Sequence, residues 1–207
     1  MPANDLVLYD HPLSGNCHKI RMFLSMLDIP YRTAFVDVVN GATRVDQFAD
    51  INPLKQIPVL VDDLVTVQDS QAILLYLAMK HGRDWISDDP AGMAAIMEWL
   101  SYGAKEVSNG PQLARLYHLV GEDIVIEKAD LQGRQVLGHL DAVLTDRDWL
   151  CLGRPTIADL AVVPYVAICH EGKLPLAEHR NVVKWIERIA ALPGYVPMRG
   201  MLGFEPG

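Results

Sequence analysis

The stretch LSGNCHKI at residues 13–20 places a hydroxyl, an amide and a thiol close together, where a polar turn runs into a helix. A thioredoxin-type redox site would have Cys-x-x-Cys here, but Ser14 stands in place of the first cysteine, before Cys17. A serine hydroxyl without a paired histidine base is a poor nucleophile but a good hydrogen-bond donor. Together with the Asn16 amide and the unpaired N–H groups of a helix N-terminus, it would favour the thiolate form of a thiol supplied by a ligand.

Moderate stabilisation is enough to ionise such a thiol. A free thiol with a pKa of about 8.5 is only ~3% ionised at pH 7. Lowering that pKa by about two units takes ~2.7 kcal/mol and gives roughly 75% thiolate. Two charge-assisted hydrogen bonds of about 1.5–3 kcal/mol each can supply this energy. The simpler interpretations, Ser14 as a helix cap and Asn16 as a turn former, stay open from the residues alone.

The next three residues are expected to take no part in this chemistry. By the pitch of the helix, the Cys17 side chain should point behind the turn, where cysteine often serves as a small buried apolar residue. Mixed-disulfide or oxidative chemistry at Cys17 is the alternative. His18 and Lys19 are predicted to form a solvated face of the helix.

A second pair of polar residues has the spacing of a capping box. Thr156 precedes Asp159 by three residues, just ahead of the apolar run LAVVPYVAI. In a capping box the two side chains each cover a backbone N–H group of the other at the start of a helix. This pair is therefore predicted to be a folding element, worth about 1 kcal/mol or more.

Hydrophobic periodicity divides the chain into two parts that position these motifs. The first part has the order βαβα followed by ββα, with predicted strands at 5–11, 31–36, 57–63 and 64–69 and helices at 17–27, 44–50 and 70–82. That order predicts one four-stranded mixed sheet, with a parallel pair and an antiparallel hairpin. The second part is all-α, with predicted helices at 91–108, 111–119, 122–145, 156–171 and 180–192 and an irregular tail.

The predicted domains follow from this division. Residues 1–82 form the α/β domain, the turn-rich segment RDWISDDP at 83–90 is a linker, and residues 91–207 form an all-α bundle. A break in the second part is expected at Asn109-Gly110-Pro111, between the first two helices.

Charge and cysteine content limit the partners that are expected. The formal net charge is −8, from 26 acidic and 18 basic residues without a basic cluster, so nucleic acid is not an expected partner. The sequence has neither a signal-peptide pattern nor a long apolar run, so no membrane partner is expected. Three widely spaced cysteines indicate free thiols in a reducing, cytoplasmic compartment, with neither a disulfide framework nor a metal site.

Pro58 stands at the very start of the third predicted strand, where a residue without an N–H group is tolerated. A cis Ile57-Pro58 bond would turn the backbone groups of Ile57 outward to pair with an extended peptide. Cis bonds are only about 5% of X-Pro bonds in folded proteins. The residues alone therefore favour an ordinary trans proline.

Four stretches, in this order, resemble the cytosolic glutathione transferase family along the whole chain: SGNCHKIRMFL, NPLKQIPVL, QDSQAILLYLA and RPTIADLAV. The resemblance implies an N-terminal thioredoxin-like domain that binds glutathione beside a cis proline, and an all-α domain that completes the pocket. Ser14 matches the catalytic hydroxyl of several classes, including theta- and zeta-like branches. The first stretch also resembles Thr-x-Asn-Gly-His-Lys-Ile of the bacterial nu-class and Ure2-like branch, where the residue matching Asn16 is important.

The resemblance also implies where glutathione would bind. Ile57 and Pro58 would align its cysteinyl backbone, and Lys55 or Gln56 would reach its glycyl carboxylate. Its γ-glutamyl end would lie at Asp69 and Ser70, with the carboxylate on the Ser70 hydroxyl and first-turn N–H groups and the ammonium on Asp69. Simple capping, with Ser70 as the N-cap, is the alternative. Asp69 is one carbon shorter than the Glu or Gln more common in the family, and Gln71 is expected near the same group.

An electrophile pocket is implied on the other side of the sulfur. Its candidates are Tyr9, His11 and Leu13 from the first domain, and Tyr102, Asn109, Arg115 and Tyr117 from the second, although helix-face aromatics commonly belong to a core.

The implied function is transfer of the glutathione thiolate to small hydrophobic electrophiles by a homodimer that needs no metal. Two alternatives remain. One is glutathione-dependent reduction of a disulfide substrate, and the other is glutathione binding by a regulatory protein without turnover.

Overall fold

The structure is a computed structural model that describes residues 6–44 and 46–204. The start of the strand predicted at 5–11, residue 45 of the helix predicted at 44–50, and the last three residues of the predicted irregular tail lie outside the described residues. The division at 1–82, 83–90 and 91–207 stays a prediction.

A four-stranded sheet forms the centre of the first part. Its strands are β1 (Leu6–Asp10), β2 (Arg32–Phe35), β3 (Val59–Asp62) and β4 (Val65–Val67), in the order β2-β1-β3-β4. β1 pairs parallel with β2 and antiparallel with β3, and β3 pairs antiparallel with β4. The predicted mixed sheet, with a parallel pair and an antiparallel hairpin, is confirmed.

The two faces of the sheet are covered by different helices because side chains alternate along a strand. Leu6 and Leu8 of β1 lie in the main core with α1 (Gly15–Met26) and α3 (Ser70–His81). Tyr9 points the other way, to a small cluster that includes Phe48 of α2 (Asp46–Ala49). After β1 ends at Asp10, the chain enters the turn before α1, and this turn carries Ser14.

The second part is helical, as predicted. Its helices are α4 (Pro90–Tyr102), α5 (Leu113–Val120), α6 (Ile126–Val143), α7 (Ile157–Ala167) and α8 (Arg180–Ala190). Every residue of α7 is buried, and the helix packs against both α1 and α4. α7 is thus the element through which the helical part contacts the head of α1.

The predicted break at Asn109-Gly110-Pro111 is wrong. A π-helix over Gly103–Gln112 joins α4 to α5, so the chain stays helical from Pro90 to Val120. The wider π turn accommodates Pro111, whose missing N–H group and ring would disturb an α-helix. Gly110 also allows a close crossing, because a Cβ atom there would lie 2.7 Å from the backbone nitrogen of Gly133 in α6.

The pair Thr156 and Asp159 caps α7 in full burial. The Ala158 N–H donates to Thr156 Oγ1 at 3.2 Å, and the Thr156 N–H donates to Asp159 Oδ2 at 3.0 Å. Asp159 Oδ1 also accepts from the Leu150 N–H at 3.0 Å and from Trp185 Nε1 at 2.9 Å. The carboxylate therefore joins α7 to α8 and to the preceding loop as well as capping its own helix.

Candidate functional site

A cleft of about 730 Å³ lies between the first part and the helical part. Its first-part wall consists of the heads of α1 and α3 and the loop before β3, and its other wall consists of the π-helix and α5. Ten of the sequence-predicted site residues line it: His11, Leu13, Ser14, Asn16, Lys55, Gln56, Ile57, Asp69, Ser70 and Arg115. The topology thus brings residues far apart in the sequence to one cavity.

Ser14 is the N-cap of α1. It has extended backbone geometry (φ −81°, ψ 118°), and its Oγ accepts from the Cys17 N–H at 3.2 Å. A hydroxyl that accepts one hydrogen bond still keeps its proton to donate. The capping role and a role as donor to a ligand are therefore compatible in the same side chain.

Two arginines hold the turn that carries Ser14. Arg21 pairs with Asp10 and donates to the carbonyl oxygens of His11 at 3.3 Å and Pro12 at 3.2 Å. From the opposite wall, Arg115 Nη1 donates to the Leu13 carbonyl at 2.8 Å. The turn is fixed from both sides of the cleft.

Asn16 and Cys17 differ in exposure. Asn16 lines the cleft, and its side-chain amide has no hydrogen-bond partner within residues 6–44 and 46–204. Cys17 is fully buried, and burial, reinforced by the negative charge of Asp10, raises the pKa of its thiol to about 12. The amide is available to a ligand, whereas the thiol lies in the core.

Tyr165 of α7 is a cleft residue that the sequence interpretation missed. Its ring packs on Gly15, where a Cβ atom would come within 2.8 Å of the ring Cζ. Burial raises the pKa of the phenol to about 12, while the backbone N–H groups of Gly15 and Asn16 act in the opposite direction. The phenol therefore stays protonated and can donate at the head of α1. No spacing signal could have revealed it, because it lies inside an apolar run typical of a core helix.

The loop before β3 contains a cis Ile57-Pro58 bond, as the family resemblance implied. The fully buried Asn52 supports this loop, since its Nδ2 donates to the Gln56 carbonyl at 2.8 Å and its Oδ1 accepts from the Leu54 N–H at 3.0 Å. Pro58 is buried at the base of the loop, next to Ile57 in the cleft wall.

The N-cap of α3 is Asp69, so the assignment of the cap to Ser70 is wrong. Asp69 has extended backbone geometry, and its Oδ1 accepts from the N–H groups of Gln71 and Ala72, each at 2.9 Å. Ser70 is the first residue of the helix and is buried. The short aspartate side chain reaches the first turn by itself, which leaves the Ser70 hydroxyl available for other partners.

The prediction of a solvated face at His18 and Lys19 is also wrong. Both side chains are buried because α1 packs against α3 and α7 as well as the sheet. Burial lowers the pKa of His18 to about 3, and both of its ring nitrogens lack a partner among the described residues. Burial lowers the pKa of Lys19 to about 8, and its Nζ donates to Ser70 Oγ at 3.4 Å.

Four candidates for the electrophile pocket lie away from the cleft lining. Tyr9 faces Phe48 on the other side of the sheet, with ring centroids 6.4 Å apart. Tyr102 contacts the rings of Trp99 and His139. Asn109 is exposed on the π-helix. Alternation of side chains along β1 turns Tyr9 away from the cleft. The continuous helix places Tyr102 and Asn109 outside the cleft lining. Tyr117 does not line the cleft either.

The helical wall has an apolar part that the sequence interpretation missed. Its members are Leu116, Leu119 and Val120 of α5, and Val38 and Val39 from the segment after β2 line the same cleft. Because the chain is helical through Pro111, these α5 residues lie within two helical turns of Arg115. Arg115 itself is buried and paired with Glu171, and its Nη2 has no partner among the described residues.

The described residues contain neither a membrane-spanning helix nor a cluster of metal ligands. Between residues 6 and 204, residue 45 aside, no helix is long and apolar enough to cross a membrane. Within the same part of the chain, no three His, Cys, Asp or Glu side chains are grouped as ligands of a metal ion.

Comparisons with known proteins give the class to which this fold and cleft belong. The model of the glutathione S-transferase N-terminal domain matches residues 4–79, and that of the C-terminal domain matches residues 93–193. The chain therefore belongs to the glutathione S-transferase family.

Individual relatives within the family have different activities in their names. Disulfide-bond oxidoreductase YfcG of Escherichia coli is 31% identical over 212 residues, covering 96% of this chain and 97% of that protein. Mouse glutathione S-transferase theta-1 is 31% identical over 204 residues, covering 91% and 84%. The solved structure of Ure2p in complex with glutathione is 25% identical, with a TM-score of 0.80, and the match covers 94% and 92%.

Proposed function

We propose that the protein is a glutathione transferase that joins the thiolate of glutathione to small hydrophobic electrophiles. The observation that carries the proposal is the position of three features around one cleft. These are the donors at the head of α1, the loop with the cis Ile57-Pro58 bond, and the head of α3 with Asp69 and Ser70. Between them they offer partners for the sulfur, the peptide backbone and the γ-glutamyl end.

The γ-glutamyl end would bind at the head of α3. The Ser70 hydroxyl and the first N–H groups of this twelve-residue helix favour a carboxylate. Asp69 Oδ2 can accept from the ammonium, since Oδ1 caps the helix. Gln71 Oε1, which is buried and has no partner among the described residues, offers a second acceptor that offsets the short aspartate side chain.

The rest of the tripeptide would follow the loop before β3. The backbone of Ile57 would pair with the cysteinyl residue, which places its side chain toward the head of α1. Lys55 and Gln56, which line the same end of the cleft, would receive the glycyl carboxylate.

The sulfur would then meet three neutral donors. Ser14 Oγ–H, the Asn16 amide and the Tyr165 phenol all border the cleft near the start of α1. Hydrogen bonds to a thiolate favour its charged form and lower its pKa. The thiol proton passes to solvent and the sulfur lone pair attacks an electrophilic carbon. In a substitution the new C–S bond forms as the leaving group departs with its bonding pair.

The electrophile would lie against the apolar wall of α5. Leu116, Leu119 and Val120 provide a surface for a small hydrophobic molecule. Burial of an apolar ligand surface contributes about 25 cal/mol per Å². The wall therefore supports a preference for hydrophobic electrophiles over polar ones.

Two alternatives have specific support. Similarity to the E. coli disulfide-bond oxidoreductase, together with an unpartnered Asn16 amide, favours reduction of a disulfide by two molecules of glutathione, which become glutathione disulfide. Similarity to Ure2p, solved with glutathione bound, supports a protein that binds glutathione and acts through that binding.

Two assays on the purified protein rank these functions. Conjugation of glutathione to a chlorinated nitroarene reports transfer, and reduction of hydroxyethyl disulfide reports the alternative. Turnover in the second assay alone would reverse the order proposed here. Retention on immobilised glutathione with neither activity would support the binding protein, and the absence of retention would contradict all three functions.

The proposal includes a cytoplasmic homodimer. The three cysteine thiols of the chain are all buried and free among the described residues, which fits a reducing compartment. Exposed apolar side chains on α3 and α4, such as Met79 and Met97, support a contact between subunits. Sedimentation equilibrium at micromolar concentration gives the mass directly, and a monomer throughout would contradict this part of the proposal.

A further inference from the structure

Lys19 is a charged residue in the protein interior that has no ion pair within residues 6–44 and 46–204. Only 1% of its surface is exposed, and its Nζ donates to Ser70 Oγ at 3.4 Å. In the part of the chain that the structure describes, no carboxylate forms an ion pair with it. A buried ammonium is costly unless an anion and good hydrogen bonds offset its desolvation. The described residues therefore compensate this cation only in part.

The contact with Lys19 also fixes the direction of the Ser70 hydroxyl. An ammonium group has three donors and no acceptor, so Ser70 Oγ must accept in this hydrogen bond. The hydroxyl proton is then left to donate elsewhere, and Ser70 lines the cleft. The group that it meets in the cleft must therefore be an acceptor.

The local charge favours an acceptor that is an anion. Asp69 is the acidic group whose charge acts on Lys19, but its Oδ1 already caps α3. The N–H groups at the start of α3 add a positive potential at the same place. A ligand carboxylate at this position would gain from both the ammonium charge and the helix end.

We propose that Lys19 is a positioning residue for the α-carboxylate of the γ-glutamyl group. It acts from the protein interior, through the Ser70 hydroxyl. The inference rests on the proposed glutathione site. Lys19 supplies the positive charge, and Ser70 supplies the hydrogen bond that touches the ligand. The γ-glutamyl carboxylate in turn provides the anion that no described residue supplies to Lys19.

The test compares two S-methylated ligands, so that thiol ionisation makes no contribution. One is S-methylglutathione, and the other is the same peptide with 4-aminobutyrate in place of the γ-glutamyl residue, which lacks only the α-carboxylate. Isothermal titration calorimetry at pH 7 measures both affinities for the wild type, Lys19→Met and Lys19→Gln. Methionine keeps the length and apolar stem of lysine, and glutamine keeps a donor for Ser70 without the charge.

We expect Lys19→Met to weaken S-methylglutathione binding by about tenfold and binding of the decarboxylated peptide by less than about twofold. Lys19→Gln should give an intermediate loss for S-methylglutathione, because the donor remains. Equal losses for both ligands would show a purely structural role and overturn the inference, as would no loss for either. If Lys19→Met does not fold, the same comparison in Lys19→Gln decides.

The wild type separates this inference from the proposed function. If it binds neither ligand, the glutathione site itself is wrong. If it binds S-methylglutathione without preferring it to the decarboxylated peptide, the glutathione site stands but the carboxylate is not recognised at Ser70. That result would overturn the role of Lys19 alone.

Discussion

Two helices of this protein begin with a capping hydroxyl, and the difference between them separates a site from a folding element. At the head of α7, Thr156 is fully buried and its partner Asp159 accepts hydrogen bonds from α7, α8 and the preceding loop. At the head of α1, Ser14 also accepts from its own helix but faces a cleft. The two caps thus share one local pattern and have different surroundings.

What distinguishes the caps is the hydrogen-bonding capacity that remains unused. The Asp159 carboxylate has both oxygens occupied by donors from the protein. Ser14 has a proton left to donate, and the neighbouring Asn16 amide has no partner among the described residues. A capping residue with spare donors beside a cavity is available to a ligand, whereas one with every lone pair used stabilises the fold.

Of the substitutions at the two caps, Asp159→Ala is expected to have the largest effect, which is a loss of stability. The substitution leaves the Leu150 and Thr156 N–H groups and the Trp185 indole N–H buried without acceptors. Because each unsatisfied buried donor costs about 1–3 kcal/mol, we expect the free energy of unfolding to fall by about 3 kcal/mol or more. Urea denaturation at pH 7 measures it, with Asp159→Asn, which keeps one oxygen, as the control.

Activity per folded molecule should change little in the Asp159→Ala variant, because the carboxylate does not line the cleft. A complete loss of activity at an unchanged melting temperature would contradict the assignment of this cap to folding.

The second largest effect is expected in Ser14→Ala, on the rate of conjugation. Loss of the hydroxyl should raise the pKa of the bound glutathione thiol, so that less thiolate is present at low pH. With a shift of about 1.5 units from a bound pKa near 6.5, conjugation falls roughly 16-fold at pH 6.5 and by less than about twofold at pH 8.5. The cost in stability should be about 0.5–2 kcal/mol, the usual range for a lost cap. Ser14→Thr, which keeps the hydroxyl, is the matched control.

Equal losses for Ser14→Ala at both pH values would remove the thiolate explanation. The same two measurements on Asn16→Ala sharpen the choice between conjugation and disulfide reduction. If Asn16→Ala is the more damaging change, and disulfide reduction suffers most, the function named for the E. coli relative becomes the better one for this protein.

A smaller effect is expected in Tyr165→Phe. Phenylalanine keeps the ring that occupies the space beside Gly15, so packing is preserved and only the donor is lost. We expect a loss of about threefold in conjugation at pH 6.5, in the same direction as Ser14→Ala, because one neutral donor to a thiolate is removed. Gly15→Ala is the complementary variant, since its Cβ would displace the ring. No change in the rate with Tyr165→Phe would exclude the phenol from the site.

Much of the fold around the two caps can be predicted from the sequence, because the signals for it are local in the chain. Strand alternation and turn residues gave the mixed sheet, and the three-residue spacing of Thr156 and Asp159 marked the cap of α7. The stretch at 13–20 likewise predicts the Ser14 hydroxyl and the Asn16 amide as neighbours at the head of one helix. Each of these depends on neighbours in the chain, which a sequence displays directly.

The features that the sequence did not predict depend on contacts between distant elements. The sequence of α1 predicts a solvated face at Lys19 because it gives no sign that α3 and α7 both cover that helix. Tyr165 lies in an apolar run typical of a core helix, and its position at the head of α1 depends on the room that Gly15 leaves for its ring. The helix through Pro111 required a π turn, whose hydrogen bonding has no compositional signature.

The smallest effect expected concerns a cysteine that stands beside each cap. Cys17 donates its backbone N–H to Ser14, and the Cys151 thiol lies 3.5 Å from Thr156 Oγ1. Burial raises the pKa of both thiols, that of Cys17 to about 12. Since only the thiolate is nucleophilic, a thiol with that pKa is about one ten-thousandth ionised at pH 8. Alkylation of the native protein by iodoacetamide should therefore be slow at both residues, and fast once urea unfolds the chain.

Peptide mass spectrometry distinguishes the two thiols within one sample. Cys151 retains 7% exposure and Cys17 none, so Cys151 should react first in the native protein. Cys17→Ala should leave conjugation within about twofold of the wild type, because the substitution removes a packed sulfur from the core and no group from the cleft. Rapid native alkylation of Cys17 that abolishes activity would contradict this. It would mean that the head of α1 opens enough to expose its thiol, and mixed-disulfide chemistry at Cys17 would then replace the division between the two caps.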